Sequence, residues 1–519
     1  MRINNRFGSY FLAMEVTAAV GLLGCGSPDA DTSGKPGAQP NVLLIVSDDQ
    51  GYADFGAFGG RSDVKTPNLD NLANSGVRFS NAYVTMSICS PSRMSILTGR
   101  QQQRWGVYNY GASLPDSEIT LAEQLKEQGY STGMVGKSHY GSYAGPEAPE
   151  FPTNHGFDYF YGKEGGTMDY LRHKAADRED FTTKMANHLG IGPFWENEQL
   201  KDTTGYSTDI ILDKSLEFIN RHQRDPFFLM VSFNAVHLFT HQIPEEDLKK
   251  MGVEKVPDWD PETGTWAEYL EWYVNTVKPN TPEGRKRYLY HLHRMDDAIG
   301  ALLGNLEEKG LRENTIVVFI SDNGGSPRTY AINDPLRGNK YILDEGGIRV
   351  PMVVSWPEKI KGGRVFDKMV SGMDIFPTLH DALGMEMPRD REIDGVSLLP
   401  AIQGEVAEAP HEWLFWTGFH PTGEPKTYDD PDGALARHDR TYNGDLNGWA
   451  VRYGNWKLRF YGTSGTYGLY DLSADIGESN NLAKRHPELV ERMMSRYYQW
   501  HENIKKNHEK YKVPASSEF

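Results

Sequence analysis

The sequence predicts an α/β protein in which a large, mostly parallel sheet is sandwiched by helices, with a smaller C-terminal subdomain of antiparallel sheet and helix. Two runs, residues 41–47 and 315–321, are almost entirely apolar without alternation, as expected of strands buried on both faces of a parallel sheet. Segments with helical spacing of apolar residues lie between these runs, whereas residues after about 405 alternate between apolar and polar side chains. The 519 residues are too many for one small core, so a large domain and a smaller one are expected.

The first 24 residues are typical of a signal peptide. A basic start is followed by a mostly apolar stretch, 11–23, which is too short to span a membrane. The sequence Leu22-Leu23-Gly24-Cys25 is similar to the lipobox of bacterial lipoproteins, whose cysteine carries lipid, and a plain secretory peptide is the alternative. Residues 25–40 are rich in Gly, Pro, Ser and Asp and are expected to form a flexible tether. We therefore expect an exported protein, in the periplasm or at the cell surface, with a lipid anchor at Cys25.

The N-terminal domain is predicted to span residues 41–405. Within it, residues 67–73 and 120–126 have the apolar spacing of helices, and residues 288–306 have that of a longer amphipathic helix. Residues 226–233 form another apolar run and are predicted to be a buried strand. Strands that alternate with helices in this order indicate a parallel sheet.

The C-terminal subdomain is predicted to span residues 406–519. Residues 449–453 and 456–460 alternate like half-exposed strands and are joined by Gly454-Asn455, which is a hairpin signal. A final helix from about residue 487 to residue 504 is expected to pack on this small sheet.

Charge and cysteine content limit the possible partners. The net charge is −17, from 54 basic and 71 acidic residues, which argues against nucleic-acid binding. An anionic substrate must therefore be met by a local cluster of cations. The chain has two cysteines, so if Cys25 carries lipid, Cys89 has no intramolecular disulfide partner and a chemical role is indicated.

Pairs of oxygen-bearing side chains follow two of the predicted parallel strands. Asp48 and Asp49 come directly after the first apolar run, and Asp322 and Asn323 come directly after the run at 315–321. Because the carboxyl ends of parallel strands share one edge of a sheet, these side chains are expected to surround a hard cation. One pair alone would be better explained as a cap of the next helix or turn.

Residues 89–100 read C-x-P-S-R-x-x-x-L-T-G-R, and residues 129–139 read G-Y-x-T-x-x-x-G-K-x-H. The two stretches resemble the two signatures of the formylglycine-dependent (type I) sulfatases, which belong to the alkaline phosphatase superfamily. An ordinary buried cysteine is the alternative for Cys89 taken by itself. The resemblance extends from residue 41 to about residue 483.

The resemblance implies that a sulfatase-maturing enzyme oxidises Cys89 to formylglycine (3-oxoalanine), whose hydrate attacks the sulfur of a sulfate ester. It also implies a Ca²⁺ site, an all-oxygen shell of the kind that calcium prefers. The implied Ca²⁺ ligands are Asp48, Asp49, the modified Cys89, Asp322 and Asn323.

The same resemblance assigns further catalytic roles. Arg93 supports the modified cysteine and the metal cluster, and Lys137 and Lys340 hold sulfate oxygens. His139 acts as the base that regenerates the aldehyde, and His237 protonates the leaving oxygen. Around Lys340 the chain reads Asn-Lys-Tyr where many relatives carry Gly-Lys-Gly, so the lysine loop is expected to have a different shape.

The implied function is hydrolysis of sulfate esters on a carbohydrate, a sulfated polysaccharide or its oligosaccharides. Candidate saccharide contacts are Arg172, His173 and His420, and the aromatic insertion at 251–281 either supplies stacking surfaces or packs as a local core. His241 either lines the pocket or supports the histidine at 237. Two other functions stay open: a phosphate or phosphonate ester hydrolase of the same superfamily, and a non-catalytic lipoprotein that binds sulfated glycans.

Overall fold

The computed structural model describes residues 39–109, 113–141, 144–175, 190–277, 281–418 and 448–512. The signal peptide, most of the tether, Cys25 and His420 therefore lie outside the described residues. In the part of the chain that is described, no helix is both long and apolar enough to cross a membrane.

A ten-stranded sheet forms the centre of the fold. Its spatial order is β11-β2-β10-β9-β1-β8-β4-β5-β6-β7. These strands are β1 (Asn41–Ser47), β2 (Val77–Phe79), β4 (Ser131–Lys137), β5 (Tyr159–Lys163), β6 (Phe194–Glu196), β7 (Gln199–Lys201), β8 (Phe227–Ser232), β9 (Thr315–Ser321), β10 (Met352–Ser355) and β11 (Arg364–Phe366). The five central strands, from β9 to β5, run parallel, whereas β10, β6 and β7 pair in antiparallel fashion with their neighbours. The predicted mostly parallel sheet is confirmed.

Two smaller sheets complete the strand content of the described residues. The strands β3 (Ala82–Tyr83) and β12 (Val370–Ser371) form a short parallel pair. The C-terminal sheet has the order β13-β14-β15-β16 and is antiparallel throughout. Its strands are β13 (Trp413–Thr417), β14 (Gly448–Tyr453), β15 (Trp456–Tyr461) and β16 (Thr466–Asp471).

Helices cover both faces of the large sheet. In chain order they are α1 (Gly56–Gly59), α2 (Pro67–Ser75), α3 (Cys89–Thr98), α4 (Leu121–Glu127), α5 (Ser207–Arg221), α6 (Glu245–Met251), α7 (Trp266–Trp272), α8 (Gly284–Glu308), α9 (Glu345–Ile348), α10 (Ile375–Ala382), α11 (Leu399–Gln403), α12 (Pro487–Lys505) and α13 (His508–Tyr511). The predicted helices correspond to α2, α4, α8 and α12, with ends that differ by a few residues.

Alternate residues of β1 feed two separate cores. Val42, Leu44 and Val46 pack on the side of α3, α4 and α10. Leu43 and Ile45 pack on the side of α2, α5 and α8. All five side chains are fully buried, which explains why β1 is apolar at successive positions.

The C-terminal sheet packs one face against α12. Its core includes Trp449, Val451 and Leu458, together with Tyr497 of the helix, whose ring stacks on Trp449 at 4.2 Å. The smaller antiparallel subdomain with its helix is thereby confirmed. All four of its strands follow residue 405, although the boundary at that residue stays a prediction.

Candidate active site

The register of β1 and β9 brings the two predicted oxygen pairs together. Ser47 pairs with Ser321, so Asp48 and Asp322 leave the sheet side by side. The Asp49 amide donates to Asp322 Oδ1 at 3.1 Å, and Asn323 Nδ2 donates to Asp49 Oδ1 at 2.7 Å. All four of the predicted side chains are at most 1% exposed.

Cys89 faces this cluster from the first turn of α3. Its Sγ lies 3.8 Å from Asp48 Oδ1 and 3.9 Å from Asp49 Oδ1. Ile88, the preceding residue, is extended, so the chain turns into the helix at the cysteine itself. Burial raises the pKa of the Cys89 thiol to about 12.

Three cations pair with the three carboxylates. Arg93 Nε donates to Asp322 Oδ2 at 2.8 Å, and Lys137 Nζ donates to Asp48 Oδ2 at 2.5 Å. Lys340 Nζ lies 2.8 Å from the Asp49 carboxylate and 3.2 Å from Cys89 Sγ. The formal charges of −3 and +3 cancel, so the six buried groups are paired with one another.

The two predicted histidines belong to the same cluster. His237 Nε2 lies 3.3 Å from Lys340 Nζ and 3.6 Å from Asp49 Oδ2. His139 follows β4 with a φ of +57°, and its amide donates to the Glu164 carbonyl at 3.1 Å. Burial and the neighbouring cations hold the pKa of both imidazoles well below the usual range, which favours the neutral form of each ring.

The oxygen donors of the cluster fit a hard cation. One ligand atom each from Asp48, Asp49, Cys89 and His237 lies within 4.8 Å of the others. Asn323 Oδ1 is buried and accepts no hydrogen bond from any residue that the structure describes. A buried amide oxygen beside carboxylates is the donor set that Ca²⁺ prefers, and a metal ligand would satisfy that oxygen.

Two residues near the cluster are missing from the sequence-based assignment. Arg328 is buried in the turn Pro327–Thr329, and its charge is among those that lower the pKa of His237. Tyr341 has a φ of +76°, a left-handed conformation that is uncommon for a bulky residue and favours glycine. The tyrosine that replaces the second glycine of the Gly-Lys-Gly pattern therefore lies where the backbone is left-handed.

The described candidates for saccharide contact have protein partners. Arg172 binds Asp169 with Nε–Oδ2 at 2.8 Å and donates to the Trp259 carbonyl at 2.6 Å. His173 is 1% exposed and lies edge-on to Phe194. A saccharide contact through these two residues stays a prediction, and it would require Arg172 to exchange protein partners for substrate.

The aromatic insertion packs largely on itself. Trp259 and Tyr269 are buried, with Ile191, in a separate small core to which Trp266 and Trp272 add partly buried rings. This arrangement agrees with the local-core alternative. His241 reaches the same segment, since its Nε2 lies 2.7 Å from Asp258 Oδ1.

Comparisons with known proteins place this geometry in context. A family model described as Sulfatase matches residues 40–385. The N-acetylgalactosamine-6-sulfatase of Sus scrofa is 32% identical over 418 residues, covering 76% of this chain and 70% of the relative. Arylsulfatase D of Homo sapiens is 30% identical over 516 residues, and this alignment covers 88% of the present chain and 85% of the relative. Among solved structures, Ps i-CgsB in complex with k-i-k-neocarrahexaose is similar with a TM-score of 0.70 and 28% identity, over 89% of this chain and 92% of the other.

Proposed function

We propose, from the premise that this chain belongs to the sulfatase family, that it removes sulfate from sulfated carbohydrates at the cluster around Cys89. Its relatives are named as sulfatases, and this chain is a sulfatase. The observation that carries the proposal is that Cys89 lies buried among three carboxylates, three cations and His237 at one sheet edge.

Two groups complete the proposed site. Asp48, Asp49, Asp322 and Asn323, with the oxidised Cys89, would hold Ca²⁺, which polarises the oxygens bound to it. Formylglycine at position 89, where the thiol sulfur stands for the aldehyde oxygen, would supply a hydrated aldehyde as the nucleophile. Burial raises the pKa of the Cys89 thiol to about 12, so the unmodified side chain is a poor nucleophile for this attack.

The remaining side chains bind charge and move protons. Lys340 Nζ lies 3.2 Å from Cys89 Sγ, and Lys137 binds Asp48, whose Oδ1 lies 3.8 Å from the same sulfur; both ammonium groups would attract the sulfate oxygens. His139 is neutral and can accept a proton from a hydroxyl at position 89. His237 is also neutral, so it must gain a proton, favoured by the approaching anion, before it can donate to the leaving oxygen.

A carbohydrate substrate is supported by the chain's relatives. The similar structure contains k-i-k-neocarrahexaose, and the mammalian relative is named for N-acetylgalactosamine 6-sulfate chemistry. We extend this substrate class, but no individual sugar, to the present chain.

We also propose export and lipid anchoring at Cys25. The support is the basic start, the short apolar stretch and the Leu22-Leu23-Gly24-Cys25 pattern of the sequence. Membrane fractionation of the wild type and of Cys25→Ala tests this, since only the wild type should partition with membranes.

The proposed function is tested by measuring hydrolysis of sulfated oligosaccharides and of the corresponding phosphate and phosphonate esters. Protein produced with a maturing enzyme should release sulfate from sulfated oligosaccharides. Higher kcat/KM on the corresponding phosphate or phosphonate esters would instead identify a phosphate or phosphonate ester hydrolase. Tight binding of a sulfated glycan without turnover would identify a binding protein.

A further inference from the structure

We propose that the C-terminal sheet positions Lys340 for catalysis through a buried triad formed by Lys457, Glu345 and Glu478. This assignment rests on the proposed function, and it makes the three residues positioning residues that act through Lys340. The C-terminal subdomain then serves the reaction itself and not only contact with the sugar.

The triad is buried and closely paired. Lys457, on β15, places Nζ 3.0 Å from Glu345 Oε1 and 2.9 Å from Glu478 Oε1. Glu345 begins α9, and its amide donates to Glu478 Oε2 at 2.7 Å. All three residues are 0% exposed, and Lys457 is the cation that both carboxylates share, while Arg349 adds a second cation 3.3 Å from Glu345 Oε2.

The triad holds both ends of the loop that carries Lys340. Arg337 Nη1 donates to the Glu478 carbonyl at 2.8 Å at one end, and Glu345 binds the Glu478 carboxylate at the other. The Gly346 amide closes the loop by donating to the Arg337 carbonyl at 2.6 Å. The C-terminal residue Glu478 therefore fixes where the loop begins and where it ends.

Lys340, at the tip of this loop, is held by close contacts on both its side chain and its backbone. Lys340 Nζ is 3.2 Å from Cys89 Sγ, and the Lys340 amide donates to the Gly325 carbonyl at 3.2 Å. A displacement of about 1 Å at a reacting group can reduce turnover on the order of 10²-fold. Loss of the Lys457 charge would leave two buried carboxylates without the cation that they share, so Glu345 and the loop that it ends would shift relative to Glu478 and carry the Lys340 ammonium with them.

The test compares Lys457→Met with a matched control on one small aryl sulfate. Arg104→Met is the control, because Arg104 is also buried, binds Asp394 of the large domain at 2.8 Å and ties the C-terminal helix to that domain by donating to Asn503 at 3.1 Å. At a temperature well below unfolding, Lys457→Met should lower kcat on the order of 10²-fold with little change in KM. Arg104→Met should keep the wild-type kcat, and a wild-type kcat in Lys457→Met would overturn the proposal.

A double variant separates positioning from general destabilisation. If Lys457 acts through Lys340, then Lys457→Met combined with Lys340→Ala should be no slower than Lys340→Ala alone. If the double variant instead loses the product of the two single-variant factors in kcat, the role of Lys457 is merely structural. Should Lys457→Met fail to fold, Arg337→Met at the half-exposed end of the loop enters the same comparison with Lys340→Ala. An active wild type with unchanged variants overturns only the positioning role, whereas a wild type inactive on every sulfate ester overturns the proposed function as well.

Discussion

At position 89 the fold raises the pKa of the thiol and surrounds it with charged groups that suit an oxygen nucleophile. The raised pKa of Cys89 keeps the sulfur protonated at neutral pH. The nearby Asp48 and Asp49 carboxylates accept a hydrogen bond from a hydroxyl better than from a thiol, and the Lys340 ammonium donates better to oxygen than to sulfur. The position is therefore better matched to an oxygen nucleophile than to the unmodified thiol.

Mass spectrometry of the Cys89 peptide tests whether position 89 carries an oxygen nucleophile. In protein made with a maturing enzyme, the peptide should lose about 18 Da, as conversion of a thiol to an aldehyde requires. Cys89→Ala should lower kcat on the order of 10³-fold or more, because the nucleophile is removed. Cys25→Ala is the matched control and should retain activity, and full activity with an intact thiol in every molecule would contradict the assignment.

A comparison of leaving groups tests the role of His237. If His237 protonates the leaving oxygen, His237→Ala should slow hydrolysis of an unactivated sugar sulfate by on the order of 10²–10⁴-fold. Nitrophenyl sulfate should be affected far less, because nitrophenolate leaves without a proton. His241→Ala, at a nearby histidine that pairs with Asp258, should not distinguish the two substrates. Equal losses on both substrates for His237→Ala would assign that residue to binding.

At the scale of elements, the site depends on the register between β1 and β9. Their Cα partners run from Asn41 and Thr315 to Ser47 and Ser321, and this pairing places two carboxylates side by side at the strand ends. A slip by one residue would turn every side chain to the opposite face. Because both faces of β1 are filled by separate cores, burial on each side opposes such a slip.

Removal of one strand-end ligand tests the cation site. Asp322→Asn should weaken Ca²⁺ binding, measured by calorimetry, by at least tenfold, because one charged ligand and the partner of Arg93 are lost together. Chelation should abolish the activity of the wild type, and added Ca²⁺ should restore it.

Asp296→Asn is the matched control for that measurement. Asp296 is also buried, but its carboxylate accepts from the amide of Leu69 at 2.8 Å, at the start of α2. This control should leave Ca²⁺ binding unchanged. Full activity of the wild type after exhaustive chelation would contradict the metal assignment.

The sequence predicts those elements whose patterns are local. The unbroken apolar runs of β1 and β9 and the Gly454-Asn455 turn between β14 and β15 are visible in short windows. Arg328 has no such signal, because it lies in a single turn and approaches His237 only through the tertiary fold. The contact between β15 and the lysine loop is equally invisible, since Lys457 lies in a segment that alternates like a half-exposed strand yet is fully buried.

At the scale of the whole molecule, the chain that follows the large domain is tied back to it by a buried ion pair. His411 Nε2 lies 2.7 Å from Asp374 Oδ1, just before β13. Asp374 also accepts from the Ser371 amide at 2.7 Å and precedes α10. The nearby carboxylate outweighs burial and raises the pKa of His411 above its usual 6.5.

The raised pKa of His411 predicts a stability that depends on pH. A group with a higher pKa in the folded state stabilises that state fully below its unfolded pKa, and this stabilisation is lost as pH rises through the folded pKa. The melting temperature of the wild type should therefore exceed that of His411→Gln by about 1–2 °C at pH 5.5, and the difference should shrink towards pH 9.

His380→Gln provides a control of opposite sign. Burial lowers the pKa of His380, so its neutral form is favoured in the folded protein. The difference between the wild type and this variant should grow as pH rises through 6.5. If the melting-temperature differences of the two variants from the wild type changed with pH in the same direction, the stabilising role of the His411–Asp374 pair would be contradicted.

The pairing of β1 with β9 also sets a time order for the newborn chain. Asp49 and Asp322 are 273 residues apart, and at 5–20 residues per second a ribosome needs about 15–55 s to pass from one to the other. During that interval β8 can already cover one side of β1, but the hydrogen-bonding groups on its other side have no neighbour from this chain. An apolar strand with one open edge is a template for pairing with other chains, so the protein is most vulnerable to aggregation between the synthesis of its first metal ligands and that of its last.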